Sequence, residues 1–213
     1  IFLGTSFLAD AFFVAFKIPN LLRRISAEGA FTQAFVPILT EYKTQNSPLE
    51  VRAFVNKIST LLGLFLVLIT ILGIFGAPWI IYITAPGFVS NPEKYNLTVD
   101  LLKITFPYIF FISLVSMAGG ILNTFGKFIV PAFTPVWLNI SFIIGALYFA
   151  EFFSEPAYVL AWSVFFGGIF QLIFQIPFLK QIGCIPKLDF NFKDAGVWRV
   201  LKLMGPSILG VSV

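Results

Sequence analysis

The chain has 213 residues, of which 58% are hydrophobic and 11% charged, with a mean hydropathy of +0.93 and a net charge of +4. A soluble domain carries about a quarter charged residues, so this composition excludes an ordinary water-soluble fold and makes lipid the expected solvent. With one cysteine and no histidine, the chain can form no internal disulfide and lacks the commonest metal ligand and general base; the dispersed basic residues do not form a nucleic-acid patch.

Taken in order, Ala9 to Tyr42 is apolar overall yet holds Asp10, Lys17, Arg23, Arg24 and Glu28, together with Pro19 and Gly29. Pro19 lacks an N–H and clashes with the preceding turn, which predicts a long helix over 8–44, kinked or broken near it. Four uncharged runs follow: Ile58 to Pro92, Ile104 to Gly126, Phe128 to Ala150 and Pro156 to Leu179, of 35, 23, 23 and 24 residues. Roughly 20 apolar residues span a bilayer as a helix, whereas barrel strands would alternate apolar and polar positions. The expected helices are therefore 54–84, 97–126, 130–152 and 156–181. Asp194 reads as an N-cap opening a last segment, which carries Trp198, Arg199 and Lys202 before entering the bilayer. The fold class is all-α integral membrane, with about five transmembrane helices plus the start of a sixth. Because Ile1 and Val213 both fall inside apolar stretches, the sequence is expected to be an internal piece of a longer chain.

Basic residues set the orientation. Lys43, Arg52 and Lys57 follow the first segment, Lys127 joins the third and fourth, and Lys180, Lys187, Lys193, Arg199 and Lys202 flank the last connection. The opposite side has only Lys94 and Lys103, with Glu151 and Glu155. The first group is expected in the cytoplasm.

The charged first segment carries the functional signal. An ion at the bilayer centre costs about 2.5–3.5 kcal/mol, so five of them must face one another, a bundle interior or water. On a helical wheel Lys17, Arg24 and Glu28 fall within about 40° of Asp10, forming one stripe. Arg23 lies about 100° from Arg24, but Pro19 shifts the phase and leaves open which arginine faces inward. A cation-lined path for an anionic substrate fits, because guanidinium bonds two phosphate oxygens and keeps its charge. The competing reading is structural ion pairing with snorkelling ends.

Other patterns carry little. Gly120 to Lys127 has the wrong glycine spacing for a phosphate loop, and Phe128 replaces its Ser/Thr, which argues against nucleotide binding. Ser116, Gly119, Gly120, Gly167 and Gly168 suit close helix packing. Cys184 reads as a small apolar residue.

The run Asp10-Ala11-Phe12-Phe13-Val14-Ala15-Phe16-Lys17-Ile18-Pro19-Asn20-Leu21-Leu22-Arg23-Arg24 resembles the lipid II flippase family (MurJ/MviN), within the multidrug, oligosaccharidyl-lipid and polysaccharide exporter superfamily. The likeness continues through Ala27-Glu28-Gly29-Ala30-Phe31, Gln33 to Pro37, Ala85 to Phe88, Leu102 to Tyr108, Ile121 to Thr124 and Met204-Gly205-Pro206. It implies a two-lobe transporter fold. Residues 1–192 would be the N-terminal lobe without its first helix, and 193–213 the start of the second lobe. The resemblance further implies a non-enzymatic flippase without cofactor that moves lipid II, the undecaprenyl-diphosphate-linked peptidoglycan precursor, by alternating access across the bacterial inner membrane. The cavity arginine would correspond to Arg23, with Arg24 beside it. Asp10 and Glu28 would be the functional acids, and Lys17 shares their stripe. With no nucleotide site, membrane potential or a monovalent ion gradient is the expected driver. The alternatives are an exporter of drugs or oligosaccharide lipids on the same fold, a cell-wall assembly partner, and a membrane enzyme, for which no acid–base or metal constellation is found.

Overall fold

A computed structural model of the chain describes residues 6–23 and 31–211, with side chains over 7–23 and 31–204. Every regular element among them is helical. The first segment contains two helices, α1 (Ser6–Arg23) and α2 (Thr32–Gln45), with residues 24–30 outside the described set. Helix α1 continues through Pro19 rather than breaking there. The carbonyl that proline deprives of its partner, that of Ala15, lies 3.4 Å from Thr105 Oγ1, whose hydroxyl also reaches Leu101 O at 2.9 Å. A neighbouring helix thus meets the freed backbone group, which is how membrane helices tolerate proline.

Helix α3 (Pro48–Thr84) starts six residues before the expected position 54. Its start is a capping box: Ser47 Oγ accepts from the Glu50 N–H, Glu50 Oε2 accepts from the Ser47 N–H at 2.8 Å, and Pro48 takes the first helical position. At 37 residues it is about 55 Å long, well beyond the hydrocarbon slab.

The expected helix 97–126 is two, α4 (Pro92–Thr105) and α5 (Tyr108–Thr124), separated at Phe106-Pro107. Helix α5 ends in a Schellman motif. Gly126 adopts φ +76°, its N–H bonds Asn123 O at 2.9 Å, and the Lys127 N–H bonds Leu122 O at 2.8 Å. The next span is more broken still: α6 (Ile129–Phe133), a turn at Thr134-Pro135, α7 (Val136–Ile144), a π turn at Gly145–Phe149 and a 3-10 turn at Ala150–Phe152. Helix α8 (Pro156–Gln181) and α9 (Ala195–Val211) complete the chain.

Four stretches among the described residues are long and apolar enough to cross a membrane: Pro48–Thr84, Pro92–Thr124, Ile129–Phe152 and Pro156–Gln181. Their outward faces carry Phe75, Trp79, Ile83, Ile129 and Phe166, all exposed. On a soluble protein such a surface would aggregate, but in a bilayer it meets acyl chains.

Two apolar cores hold the bundle. One joins Phe12 and Ala15 of α1 to Ile81, Leu101, Leu102, Ile109 and Val164. The other joins Phe35, Ile38 and Leu39 of α2 to Phe54, Ile58, Ile121, Leu122 and Val200. Helix α5 passes through both, and its midsection borders the space between them. Near that midsection a Cβ on Gly168 of α8 would come within 2.9 Å of the Tyr108 ring and 3.0 Å of Phe111 Cβ, so only glycine permits this approach.

Candidate functional site: a cavity inside the bundle

A cavity of about 900 Å³ opens among α1, α2, α5, the α6–α7 turn and α8. Apolar side chains dominate its wall, including Phe16, Val36, Ile112, Val115 and Leu138. Polar groups enter at a few points. Asn20 and Arg23 come from the last turn of α1, Thr32 and Gln33 from α2, Ser116 and Asn123 from α5, and Gln171 and Gln175 from α8. A largely apolar hollow with a few convergent polar groups is the usual form of a ligand site.

Arg23 is held in place locally. Its Nε donates to Asn20 Oδ1 at 3.0 Å, one helical turn back, which orients the plane of the guanidinium. Across the cavity Gln171 and Gln175 lie one turn apart on α8 and meet Thr134 at the α6–α7 turn. Gln171 Nε2 donates to Thr134 O at 3.4 Å, and Gln175 Nε2 donates to Thr134 Oγ1 at 2.9 Å. The Tyr108 hydroxyl donates to Gln171 Oε1 at 3.5 Å.

Of the residues singled out from sequence, Arg23 lines this cavity. Asp10 and Lys17 are not in its lining. They sit with Phe13 and Leu21 on an exposed stripe of α1. Asp10 and Lys17 therefore do share a face, as the wheel predicted. Arg23 points off it, as the same wheel had it. Asp10 Oδ2 also accepts from Lys94 Nζ at 3.0 Å, and that ammonium lies 4.1 Å from the centre of the Phe88 ring. Arg24 and Glu28 lie outside the described residues. Among the described residues no group of three His, Cys, Asp or Glu side chains is placed to hold a metal ion.

Reading the sequence for charge overlooked the neutral part of the wall: Asn20, Gln33, Asn123, Thr134, Gln171 and Gln175. A signal existed for the last pair. Two glutamines four apart, inside a 24-residue uncharged run, must share one helix face and cannot favour lipid.

Membrane-length helices closing around a partly polar hollow define a multi-pass α-helical membrane protein. Comparison with known proteins makes this specific. The family model described as "Lipid II flippase MurJ" matches residues 1–213. The chain is 48% identical over 209 residues to a probable lipid II flippase MurJ of Buchnera aphidicola subsp. Acyrthosiphon pisum, covering 98% of this chain and 41% of that protein. It is 46% identical over 214 residues to the lipid II flippase MurJ of Burkholderia cenocepacia, covering 99% and 42%. A solved lipid II flippase MurJ in an inward closed conformation superposes with a TM-score of 0.75 at 31% identity, over 98% of this chain and 42% of that one. The chain belongs to the lipid II flippase MurJ family and is a multi-pass protein of the bacterial inner membrane. It spans about two-fifths of the length of the curated relatives it matches.

Proposed function

We propose that the protein carries lipid II from the cytoplasmic to the outer leaflet by alternating access, and that Arg23, with Arg24, binds the diphosphate in the cavity. The supporting observation is that Arg23 borders a hollow of about 900 Å³ and is oriented there by Asn20. A guanidinium placed at membrane depth is too costly to be idle, and its planar fork suits phosphate oxygens. Relatives named as lipid II flippases supply the substrate. The headgroup enters from the face rich in Lys43, Arg52, Lys57 and Lys180, while the undecaprenyl tail stays in lipid. Residues 1–192 serve as the N-terminal lobe and 193–213 begin the second.

Asp10, Lys17 and Glu28 exchange partners as the cavity changes sides, and the Asp10–Lys94 pair is one such arrangement. The process is transport without catalysis and needs no cofactor. Membrane potential, or a monovalent ion moving with it, drives the cycle, at about 2.3 kcal/mol per charge per 100 mV.

The test is complementation of a flippase-depleted bacterium with the full-length gene carrying Arg23→Ala, followed by a lipid II translocation assay. Loss of translocation at normal expression is expected. Normal translocation would remove Arg23 from the mechanism.

A further inference from the structure

Four buried side-chain polar atoms among the described residues lack any hydrogen-bond partner: Thr70 Oγ1, Ser113 Oγ, Trp137 Nε1 and Gln175 Oε1. Only the last belongs to a residue that lines the cavity. Gln175 is 1% exposed, and its amide nitrogen is already committed to Thr134 Oγ1. Its carbonyl oxygen is therefore a strong acceptor left empty in a low-dielectric interior, a condition that costs about 1–3 kcal/mol.

The glutamines are not needed to mend the helix break beside them. The backbone there bonds itself: Thr134 N–H reaches Val130 O, and Trp137 N–H reaches Thr134 O at 3.2 Å, the same carbonyl that Gln171 approaches at 3.4 Å. The Gln171–Tyr108 contact is equally long, at 3.5 Å. Two amides, a phenol and a hydroxyl thus gather on one wall without charge; the Gln171 contacts are long, and Gln175 uses only its nitrogen, on Thr134 Oγ1 at 2.9 Å. Such a wall suits a ligand that donates hydrogen bonds, and it offers nothing to a phosphate that Arg23 does not offer better.

We propose that Gln175, supported by Gln171, forms a second subsite of the cavity that accepts hydrogen bonds from the uncharged part of the substrate headgroup, its sugar hydroxyl or acylamino N–H groups. The subsite rests on the transport reading above and adds a division of labour to it. Arg23 holds the anion common to all polyprenyl-diphosphate lipids, and the glutamine wall distinguishes those bearing a sugar–peptide headgroup. Engaging a ligand turns the Gln175 amide so that its oxygen faces the cavity, at the expense of its nitrogen's bond to Thr134 Oγ1.

The test measures binding of two probes to the purified full-length protein in detergent: lipid II, and undecaprenyl diphosphate, which carries the anion without the sugars. Gln175→Met keeps length and removes the acceptor. It is expected to weaken lipid II binding about tenfold, the worth of one hydrogen bond, and to leave undecaprenyl diphosphate binding unchanged. Unchanged affinity for both probes would overturn the subsite. So would an equal loss for both, or a lowered melting temperature with loss of both, since either marks Gln175 as structural. Arg23→Ala is the separate arm and should weaken both probes. If it weakens neither, the diphosphate reading fails on its own account, whatever Gln175 does.

Discussion

The attachment of α9 gives the most quantitative prediction. Asp194 sits just before that helix and gathers three donors: Tyr42 Oη at 2.8 Å, Lys57 Nζ at 2.9 Å and the Gly196 N–H at 2.9 Å. These tie α9 to α2 and α3, and Arg199 adds a two-pronged bond to Glu41 at 2.8 Å on each arm. The side chains of Lys57 and Asp194 are each 14% exposed, so their pairing lies between the surface case, about 0.2–1 kcal/mol, and the buried case, where breaking a pair costs about 3–5 kcal/mol. A coupling of about 1–2 kcal/mol follows. It should appear in a double-mutant cycle of Lys57→Met and Asp194→Asn, read by SDS-titration unfolding of the full-length protein. Asn keeps the cap and an acceptor for Tyr42, so the cycle isolates the charge. Burial pushes the Asp194 carboxyl up, but hydrogen bonds from Lys57, Tyr42 and Gly196 together outweigh it and hold the group below the usual carboxylate range. Because the folded value is depressed, this stabilisation is complete above the unfolded value of about pH 3.9 and drains away as pH falls through the folded one. Asp194→Asn should lack that acid-side loss. If Lys57→Met costs the same in either background, the latch contributes no coupling and the reasoning fails.

Gly73 faces the ring of Phe106, itself 2% exposed, closely enough that an added Cβ would overlap it. Gly73→Ala should destabilise the protein by about 1–2 kcal/mol despite alanine's better helix propensity, measured by the same unfolding titration. Gly126→Ala meets no neighbour within 4 Å and pays only for its φ of +76°, about 1 kcal/mol. Arg23→Lys keeps the charge but loses the planar fork, so lipid II translocation should fall about tenfold at normal expression; full activity would show that a point charge suffices. Lys17→Cys, in a Cys184→Ser background, should react with a membrane-impermeant thiol reagent in at least one transport state. A residue facing lipid would stay unlabelled in all of them.

How far the sequence alone reached depends on the kind of signal. Length and hydropathy were enough to reveal four membrane-crossing stretches, because 23 or more uncharged residues admit few other structures. Their interruptions were harder to see. Phe106-Pro107 and Thr134-Pro135 break helices without any change in hydropathy, whereas Pro19 stays within one because Thr105 is there to help, a tertiary fact no local rule contains. The early start of α3 was legible in Ser47-Pro48-Leu49-Glu50 and was masked by attention to charge-free runs. In the cavity, the arginine stood out by its cost in lipid, while Asn20, Gln171 and Gln175 did not, since neutral amides are cheap enough to pass as packing. The wheel placed Asp10 and Lys17 together correctly. It could not tell whether their face met this cavity or some other surface, because that depends on which neighbours α1 acquires.

That exposed face of α1 sets the limit on how this bundle can sit in a membrane. Asp10, Phe13, Lys17 and Leu21 follow one another at helical spacing, so ionic and apolar groups alternate along a single stripe. Facing lipid, the two ions would each cost about 2.5–3.5 kcal/mol, and the Lys94 ammonium offsets this for Asp10 only in part, because half of the Asp10 side chain is still exposed. Facing open water, Phe13 at 61% and Leu21 at 50% exposure would forfeit burial. A surface that is partly wet and partly packed satisfies both, which is what the proposed transport reading requires of a helix at the edge of the pathway. On this argument α1 divides two environments. Its Arg23 side closes one wall of the cavity, and under the transport reading proposed above its Asp10–Lys17 side would be the face against which the rest of the protein moves.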